Sequence, residues 1–341
     1  MEILQAQINH AEELASLANE AFPGYPFRYV FSKEGVETAI QNGEYRVVMT
    51  DDERLVGSAV LGLDDSPMSE VKRVMVHPDY RSNGVASKLT SHLCQVAKQN
   101  QKIPYAEVRG DQIAMQKAAL GAGMTAISFE PGKHAVFEHD KLGPARETMT
   151  FMTSEKVVID SLRTKLRNVP KSIRQRLAEN MTKALNPSPK DQETSRYELI
   201  SPQESAREVL NNLLNLNDGG NNLQLLNSDV AIWRDNGCEI IFILPDRSAF
   251  VSASNPRQID NRILEESGIQ VSTIYVGMHD FISNNELHQT EYQPTSVRLW
   301  NSVWQIGWQA HYNNFERCLH NINLDQTVLR QISKVIEVVG I

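Results

Sequence analysis

The stretch Val71-Lys72-Arg73-Val74-Met75-Val76-His77-Pro78-Asp79-Tyr80-Arg81-Ser82-Asn83-Gly84-Val85-Ala86 constrains this chain more than any other. Its first six residues are apolar and β-branched enough for a buried strand. Pro78 and Asp79 end that strand. From Val85 the apolar positions Val85, Leu89, Leu93 and Ala97 recur at helical spacing. The prediction is strand, turn, glycine loop, helix. A loop that runs straight into a helix leaves the first backbone N–H groups without partners. Those groups and the helix dipole together suit a diphosphate. Gly84 lets the backbone approach such an anion, and Arg81 adds a positive charge. A plain tight connection has the same outline, so the loop alone leaves both readings open.

With 341 residues there is material for two domains of ordinary size. The 41% hydrophobic and 22% charged content is that of a globular protein. A net charge of −8 argues against general nucleic-acid affinity. No apolar run approaches the length of a transmembrane helix, and Met1-Glu2-Ile3-Leu4-Gln5 lacks the regions of a signal peptide. Cys94, Cys238 and Cys318 lie far apart and form no metal motif. Reduced thiols in a cytoplasmic protein are the simplest expectation.

The order Arg81-x-x-Gly84-x-Ala86 after the His77-Pro78-Asp79-Tyr80 turn resembles the acetyl-CoA motif of the Gcn5-related N-acetyltransferases, written Arg/Gln-x-x-Gly-x-Gly/Ala. The resemblance covers residues 1 to 153, less than half the chain. It implies the family's mixed sheet, whose fourth and fifth strands splay apart, and acetyl-CoA as cofactor. It also implies a pantetheine chain along Val74, Met75 and Val76. The diphosphate would then rest on Arg81, Ser82, Asn83, Gly84, Val85 and Ala86. Strands at Tyr45–Thr50, Leu55–Leu63 and Tyr105–Arg109 and a helix at Gln112–Leu120 follow that order. Asn9 is the expected cap of the first helix.

Residues 21 to 31 carry two prolines and a glycine, so no regular helix fits there. Their aromatics, Tyr25, Phe27 and Tyr29 among them, either pin a loop to the core or line a pocket. The resemblance favours the pocket, because the matching region of these acetyltransferases contributes to the acceptor site. The run Tyr25-Pro26-Phe27 is similar to a narrower subgroup, the β-lysine N-acetyltransferases. That similarity points to a primary amine on a small metabolite or amino acid.

Acetyl transfer to an amine needs proximity, removal of a proton, and donors for the carbonyl oxygen. Glu70, at the entrance of the central strand, is the first candidate base, with Glu107 and His77 as alternatives. His77 sits at the diphosphate end and reads better as a turn residue. The family's usual general acid is a Tyr partway along the helix near 112–124. Ala119 stands about there, and the helix ends in Gly123-Met124 rather than Gly-Phe. Tyr105 is the remaining candidate acid. His134 and His139 sit five apart, which places them on opposite faces of a strand, so no metal is expected there.

The expected fold class is α/β, a GNAT-type mixed sheet flanked by helices with a second α/β domain behind it. The expected divisions are 1–153, the cofactor-binding catalytic domain; 154–194, a basic helical linker; and 195–341, a C-terminal domain. Between Arg163 and Lys183 there are seven Lys or Arg and one acidic residue, Glu179. A solvated face accounts for them, and an anionic partner is the alternative. The second half echoes the first. Glu198–Ile200 parallels Glu2–Leu4, the segment 236–243 parallels 42–49, and Val271–Val276 parallels Val71–Val76, all about 200 residues apart. The Arg-x-x-Gly-x-Ala loop is missing from this second half. It reads as a degenerate copy without cofactor, or as an unrelated α/β domain. Trp300, Trp304, Trp308, Tyr312 and Phe315 recur every three or four residues, which predicts one face of a helix.

Three functions stay open at this point. The first is an N-acetyltransferase of a small-molecule amine, for which a homodimer is one arrangement. The second acetylates an amine on a protein or a tRNA-linked group. The third is an acyl-CoA sensor without turnover, which the absent Tyr would suit.

Overall fold

The computed structural model describes residues 1–341 apart from 24, 26, 53, 139–140, 156–158, 186–200, 218–219, 221, 236, 254–255, 257–258, 279, 291, 301–302 and 312–322. Two compact units divide it. One comprises Met1–Ile127, Thr150–Val157 and Asn323–Gln331; the other comprises Ser128–Met149, Val158–Ile322 and Ile332–Ile341.

In the first unit β1 (Glu2–Gln5) is followed by α1 (Ala11–Ala21), α2 (Lys33–Gln41), β2 (Tyr45–Asp51), β3 (Arg54–Leu61) and β4 (Met68–Val76). Then come α3 (Val85–Gln99), β5 (Ile103–Arg109), α4 (Ile113–Gly121) and the long strands β6 (Thr125–Glu138) and β7 (Lys141–Thr153), of which only the start of β6 and the end of β7 belong to this unit. The strand order is β1-β2-β3-β4-β5-β7-β6. Pairs along β1–β4 are antiparallel, and β4 and β5 run parallel. Ala11, Leu14, Leu17 and Ala18 of α1 pack with Val48 and Met75 in one core. Asn9 does not cap α1. It lies in a 3₁₀ turn, Ile8–His10, that leads into the helix.

On β3, Gly57 was not singled out by its sequence context, yet the packing of α3 depends on it. A Cβ there would sit 2.6 Å from Val85 Cγ1 and 3.1 Å from Leu89 Cδ1. The glycine lets the helix that follows the Gly84 loop lie close on the sheet. Gly57→Ala is expected to cost about 1–3 kcal/mol through overpacking, read as a lower midpoint in denaturant unfolding. An unchanged midpoint would mean that α3 is free to shift.

The second unit holds α5 (Ile159–Leu166), α6 (Lys171–Leu185), α7 (Pro202–Leu216), β8 (Leu223–Leu225), β9 (Val230–Asp235), β10 (Cys238–Ile243) and β11 (Ser248–Ala253). After these come α8 (Asn261–Glu266), β12 (Val271–Gly277), α9 (Phe281–His288), β13 (Gln293–Trp300), β14 (Val303–His311) and the second part of α10 (Gln326–Gly340), whose first residues belong to the first unit. Helix α7 starts from a capping box, Ser201 with Glu204, and has Pro202 in its first turn. Pro170 separates α5 from α6, as its missing N–H requires.

This sheet runs β8-β9-β10-β11-β12-β14-β13. That is the permutation of the first sheet, strand for strand, and β11 and β12 form its parallel pair as β4 and β5 do. The strand at 238–243 therefore occupies the third place, that of β3, and not the second place that the alignment with 42–49 expects. Val271–Val276 lies in β12 and occupies the place of β5, not of β4. Short apolar strands share one two-residue period, so their sequences align with one another in several registers; only the ladder assigns position.

Three further expectations meet the structure here. The aromatic run near 300 is not a helix but the hairpin β13–β14, in which Leu299 faces Trp304 and Trp300 faces Val303. A spacing of four suits a strand face as well as a helix face, since it is a multiple of two. Trp304 and Trp308 are buried on β14, and the Trp308 indole N–H donates to Asn284 Oδ1 at 3.0 Å. Tyr312, Phe315, Cys318, His139, the strand at 198–200 and the linker at 186–191 lie outside the described residues. Cys94 and Cys238 are free and buried, and burial pushes both thiols up to about 11.

Candidate functional site

The parallel pairing of β4 with β5 is short. Met68, Ser69 and Glu70 face Ile103, Pro104 and Tyr105, and no pairing follows among the described residues. From Val71 onward β4 keeps its ladder with β3 on one side only. Its other edge presents backbone donors and acceptors to a gap between the two strands. An open edge inside a sheet invites an extended ligand, because unpaired backbone groups are costly to bury.

A bulge accompanies the splay. Ser58 faces Met75 while Val60 faces Lys72, so β4 carries one extra residue there. Within it Arg73 adopts φ 51°, a left-handed conformation rare for a residue with a side chain. The bulge breaks the alternation of β4, and Lys72, Arg73 and Val74 are all half-buried.

Strand β4 then runs into a 3₁₀ turn, Pro78–Tyr80, and the loop that starts α3. His77 caps this turn. Its Nδ1 accepts the Asp79 N–H at 3.2 Å, and its Nε2 lies 2.7 Å from Arg54 Nη2 and 2.8 Å from the Glu20 carboxylate. It is a turn residue, occupied on both ring nitrogens. Ser82 and Gly84 take positive φ, 68° and 75°. Gly84 is the N-cap of α3, which has neither a side-chain cap nor an acidic residue in its first turn. A Cβ on Gly84 would meet no protein atom within 4 Å, so the space over it is open. Uncapped N–H groups, an open approach and the 15-residue dipole of α3 fit a diphosphate. Arg81 is exposed beside them, and its Nη2 donates to the Ala21 carbonyl at 3.4 Å.

The aromatics predicted for the acceptor side, Tyr25, Phe27 and Tyr29, converge on Arg73. Its Nε donates to the Tyr25 hydroxyl at 3.3 Å, and its guanidinium lies 5.9 Å from the Phe27 ring centre and 5.1 Å from that of Tyr29. Glu44 completes the group. One of its oxygens accepts from Arg46 Nε at 2.9 Å and Nη2 at 2.6 Å; the other accepts from the Tyr29 hydroxyl at 3.0 Å and from Arg73 Nη1. Burial would raise the Glu44 carboxyl, but Arg46 and Arg73 outweigh it and hold the group below its ordinary value. Burial raises the Tyr29 phenol, which therefore stays a neutral donor. For Arg73 burial is again the largest influence and opposes charge, yet Tyr25, Tyr29 and Glu44 overcome it and raise its value further. Sequence reasoning missed Arg73, Glu44 and Arg46. Glu44 and Arg46 alternate with Tyr45 at the start of β2 like any strand end, and Arg73 sits inside an apolar run.

The three candidate catalytic residues lie at the base of the gap. Glu70 is the Cα partner of Tyr105, and its carboxylate accepts from Lys72 Nζ at 3.0 Å. Tyr105 stacks on Phe151 with ring centres 5.5 Å apart. Glu107 follows on the same half-buried face of β5. Where the family's Tyr would fall, Ala119 is fully buried.

Fold and site define a class: a splayed mixed α/β domain with an open strand edge leading to the uncapped start of a helix. Residues 11–122 match the model of the acetyltransferase (GNAT) family, and that segment is an acetyltransferase domain of the family, whose cofactor is acetyl-CoA. Similar solved structures include the ribosomal-protein-alanine N-acetyltransferase from Brucella melitensis, at 17% identity over 46% of this chain and 100% of that one, with a TM-score of 0.38. The Salmonella typhimurium protein yncA, with its cofactor acetyl-CoA, is 18% identical over 46% of this chain and 96% of its own, with a TM-score of 0.38. The ribosomal-protein-S18-alanine N-acetyltransferase from Escherichia coli is 15% identical over 46% and 96%, with a TM-score of 0.37. Among curated proteins none matches the chain. Among the described residues no helix is long and apolar enough to cross a membrane.

Proposed function

We propose that the first unit acetylates the primary amine of a small metabolite, with amino acids among the acceptors. The observation that carries this reading is continuity. The open edge of β4 leads in one direction to the uncapped start of α3 and in the other to the bulge, where Arg73 meets the three aromatics. In this reading Val74, Met75 and Val76 hold the pantetheine by their backbone groups. The N–H groups of Ser82, Asn83, Gly84, Val85 and Ala86, with Arg81, hold the diphosphate. When bound, acetyl-CoA supplies the acetyl group: its C–S bond breaks as the C–N bond forms, and CoA leaves as the thiol.

The residues of the chain divide the remaining work. Tyr25, Phe27 and Tyr29 wall the acceptor side and exclude water. Glu70, at the base of the gap, takes the ammonium proton directly or through a water, and Glu107 stands next along β5 for the same task. The Tyr105 hydroxyl is the nearest neutral proton donor on that wall. A second reading, an acyl-CoA sensor, is favoured by the apolar Ala119 in place of a Tyr.

Thiol release from acetyl-CoA with a panel of amines tests the enzyme reading. Turnover with small primary amines is the expected result. Turnover only with peptide N-termini or lysines would move the acceptor to proteins. Tight acetyl-CoA binding without turnover on any amine would establish the sensor.

A further inference from the structure

The charge count around Glu44 is unbalanced. Two guanidiniums, Arg46 and Arg73, share one carboxylate. That carboxylate is saturated, since each oxygen already accepts two donors. Tyr25 and Tyr29 contribute only neutral hydroxyls. The cluster therefore carries one positive charge in excess while it is nearly dry: the Arg46 side chain is 1% exposed and that of Arg73 16%. Donors are left over as well. Arg46 Nη1 is buried with no hydrogen-bond partner, and Arg73 Nη2 makes no hydrogen bond among the described residues. An excess cation with spare donors in a low-dielectric pocket is costly unless an anion visits it.

Position decides what that anion belongs to. Arg73 sits in the bulge of β4, where the strand's open edge begins, and its guanidinium is held between the faces of Phe27 and Tyr29. Glu44 and Tyr25 hold it by Nη1 and Nε, so it is oriented before any ligand arrives. A second cation on an acceptor would meet both repulsion and aromatic faces already taken. A planar carboxylate matches the geometry of a guanidinium.

We propose that Arg73 is the carboxylate-binding residue of the acceptor site, so that the acceptors are amines bearing a carboxylate on the same small molecule. The inference rests on the first unit being an N-acetyltransferase. Glu44 and Arg46 are then positioning residues that set Arg73 in place.

The test compares ω-amino acids of increasing chain length with their carboxamides and with diamines of equal length. Each is supplied to the full chain at saturating acetyl-CoA, and thiol release is followed. At the best length the carboxylate is expected to exceed both analogues in kcat/KM by at least ~10-fold, the effect of one charged hydrogen bond or more. Arg73→Gln should lower kcat/KM for the carboxylate by about 10- to 100-fold, mostly through KM, and lower that for the carboxamide much less, so that the preference for the carboxylate is lost. Arg73→Lys should recover part of the loss. Acetyl-CoA affinity of each variant reports that it is folded; should Arg73→Gln fail to fold, the comparison on the unaltered protein still decides.

Equal use of carboxylate and carboxamide, a preference for diamines, or a preference that survives Arg73→Gln would overturn the assignment. If no amine turns over, the enzyme reading fails by itself. Calorimetric titration of the same compounds into the CoA-saturated protein then decides the inference. Tighter carboxylate binding that disappears in Arg73→Gln supports it, and equal or absent binding sinks it.

Discussion

Gly84→Asp is expected to weaken acetyl-CoA binding by at least ~100-fold, about 2.7 kcal/mol, with little change in the melting temperature. The effect has two sources. The carboxylate would stand at the N-cap of α3, where the proposed diphosphate shares the unpaired N–H groups. A side chain would also enter space that is open in the protein but is needed by the anion. Backbone strain is the smaller part, because Asp is among the residues that best tolerate a φ of 75°. As an N-cap it would even satisfy helix donors, so the fold should hold while binding is lost. Gly84→Ala separates the terms: it adds the methyl without the charge and should lose less. Equilibrium titration of acetyl-CoA beside a thermal melt measures both quantities. If the Asp variant bound acetyl-CoA as well as the unaltered protein, the diphosphate would have to lie elsewhere.

The second large effect concerns stability of the other unit. Asp246, in the turn between β10 and β11, is fully buried with Arg146. Its oxygens accept from His134 Nδ1 at 2.9 Å, from the Ser248 hydroxyl at 2.6 Å and from the Ala135 N–H, and Arg146 Nη2 lies 3.7 Å away. Arg146 in turn donates to the carbonyls of Gly132 at 2.7 Å, Lys133 at 2.6 Å and Asp246 at 2.9 Å, and to Gln270 Oε1 at 2.9 Å. Asp246→Asn removes the first of the two carboxylates, Asp246 and Glu147, whose charges favour the Arg146 cation. A loss of about 3–5 kcal/mol is expected, because it breaks a buried charge pair by removing one partner. Arg146→Met should cost a similar amount, and the double variant less than the sum of the two.

The pH dependence carries a sign that can be checked. Burial alone would raise the Asp246 carboxyl, but His134 and Arg146 more than offset it, and the folded value lies below the ordinary one. The stabilisation is therefore complete above the unfolded carboxyl value near ~3.9 and is lost as pH falls through the folded value. Denaturant midpoints should thus differ most between native and Asp246→Asn protein at neutral pH and converge in strong acid. A difference that stayed constant from pH 7 into acid would show that the carboxylate charge is not what holds this turn.

The legible part of the molecule is local. The strand at 71–76, the loop with Gly84 and the helix from Val85 lie within one continuous segment, and each obeys rules of period, turn chemistry and capping that act over a few residues. The family match over residues 11–122 follows the same segment. Tyr25, Phe27 and Tyr29 were legible as a group because prolines forbade a helix around them. That they close around Arg73 was not, since the bulge that turns Arg73 toward them arises from the β3–β4 register. Glu44 and Arg46 have ordinary strand-end sequences, and the role of the pair comes from Glu44's partners 15 and 29 residues away.

The second unit shows the same division more sharply. The strands at 238–243 and 271–277 were visible in the sequence, yet their places in the sheet were misassigned by one strand, and the Trp-rich hairpin resembled a helix. Neither error concerns local preference. Alternating apolar residues specify that a strand has a buried face, without naming the neighbour that covers it. The return of Asn323–Gln331 to the first unit is of this kind. There Asn323 N–H donates to the Gly110 carbonyl at 2.8 Å, and the Gln116 amide reaches Asn323 and Asp325. By itself the sequence determined the strand, glycine loop and helix from Val71 to Gln99, and with them the resemblance that the match over residues 11–122 bears out, because those depend on a few adjacent residues. Only the tertiary structure decided the sheet order of the second unit, the buried Arg146–Asp246 pair and the unbalanced cation at Arg73. Each of these depends on register and burial, which join residues that the chain keeps far apart.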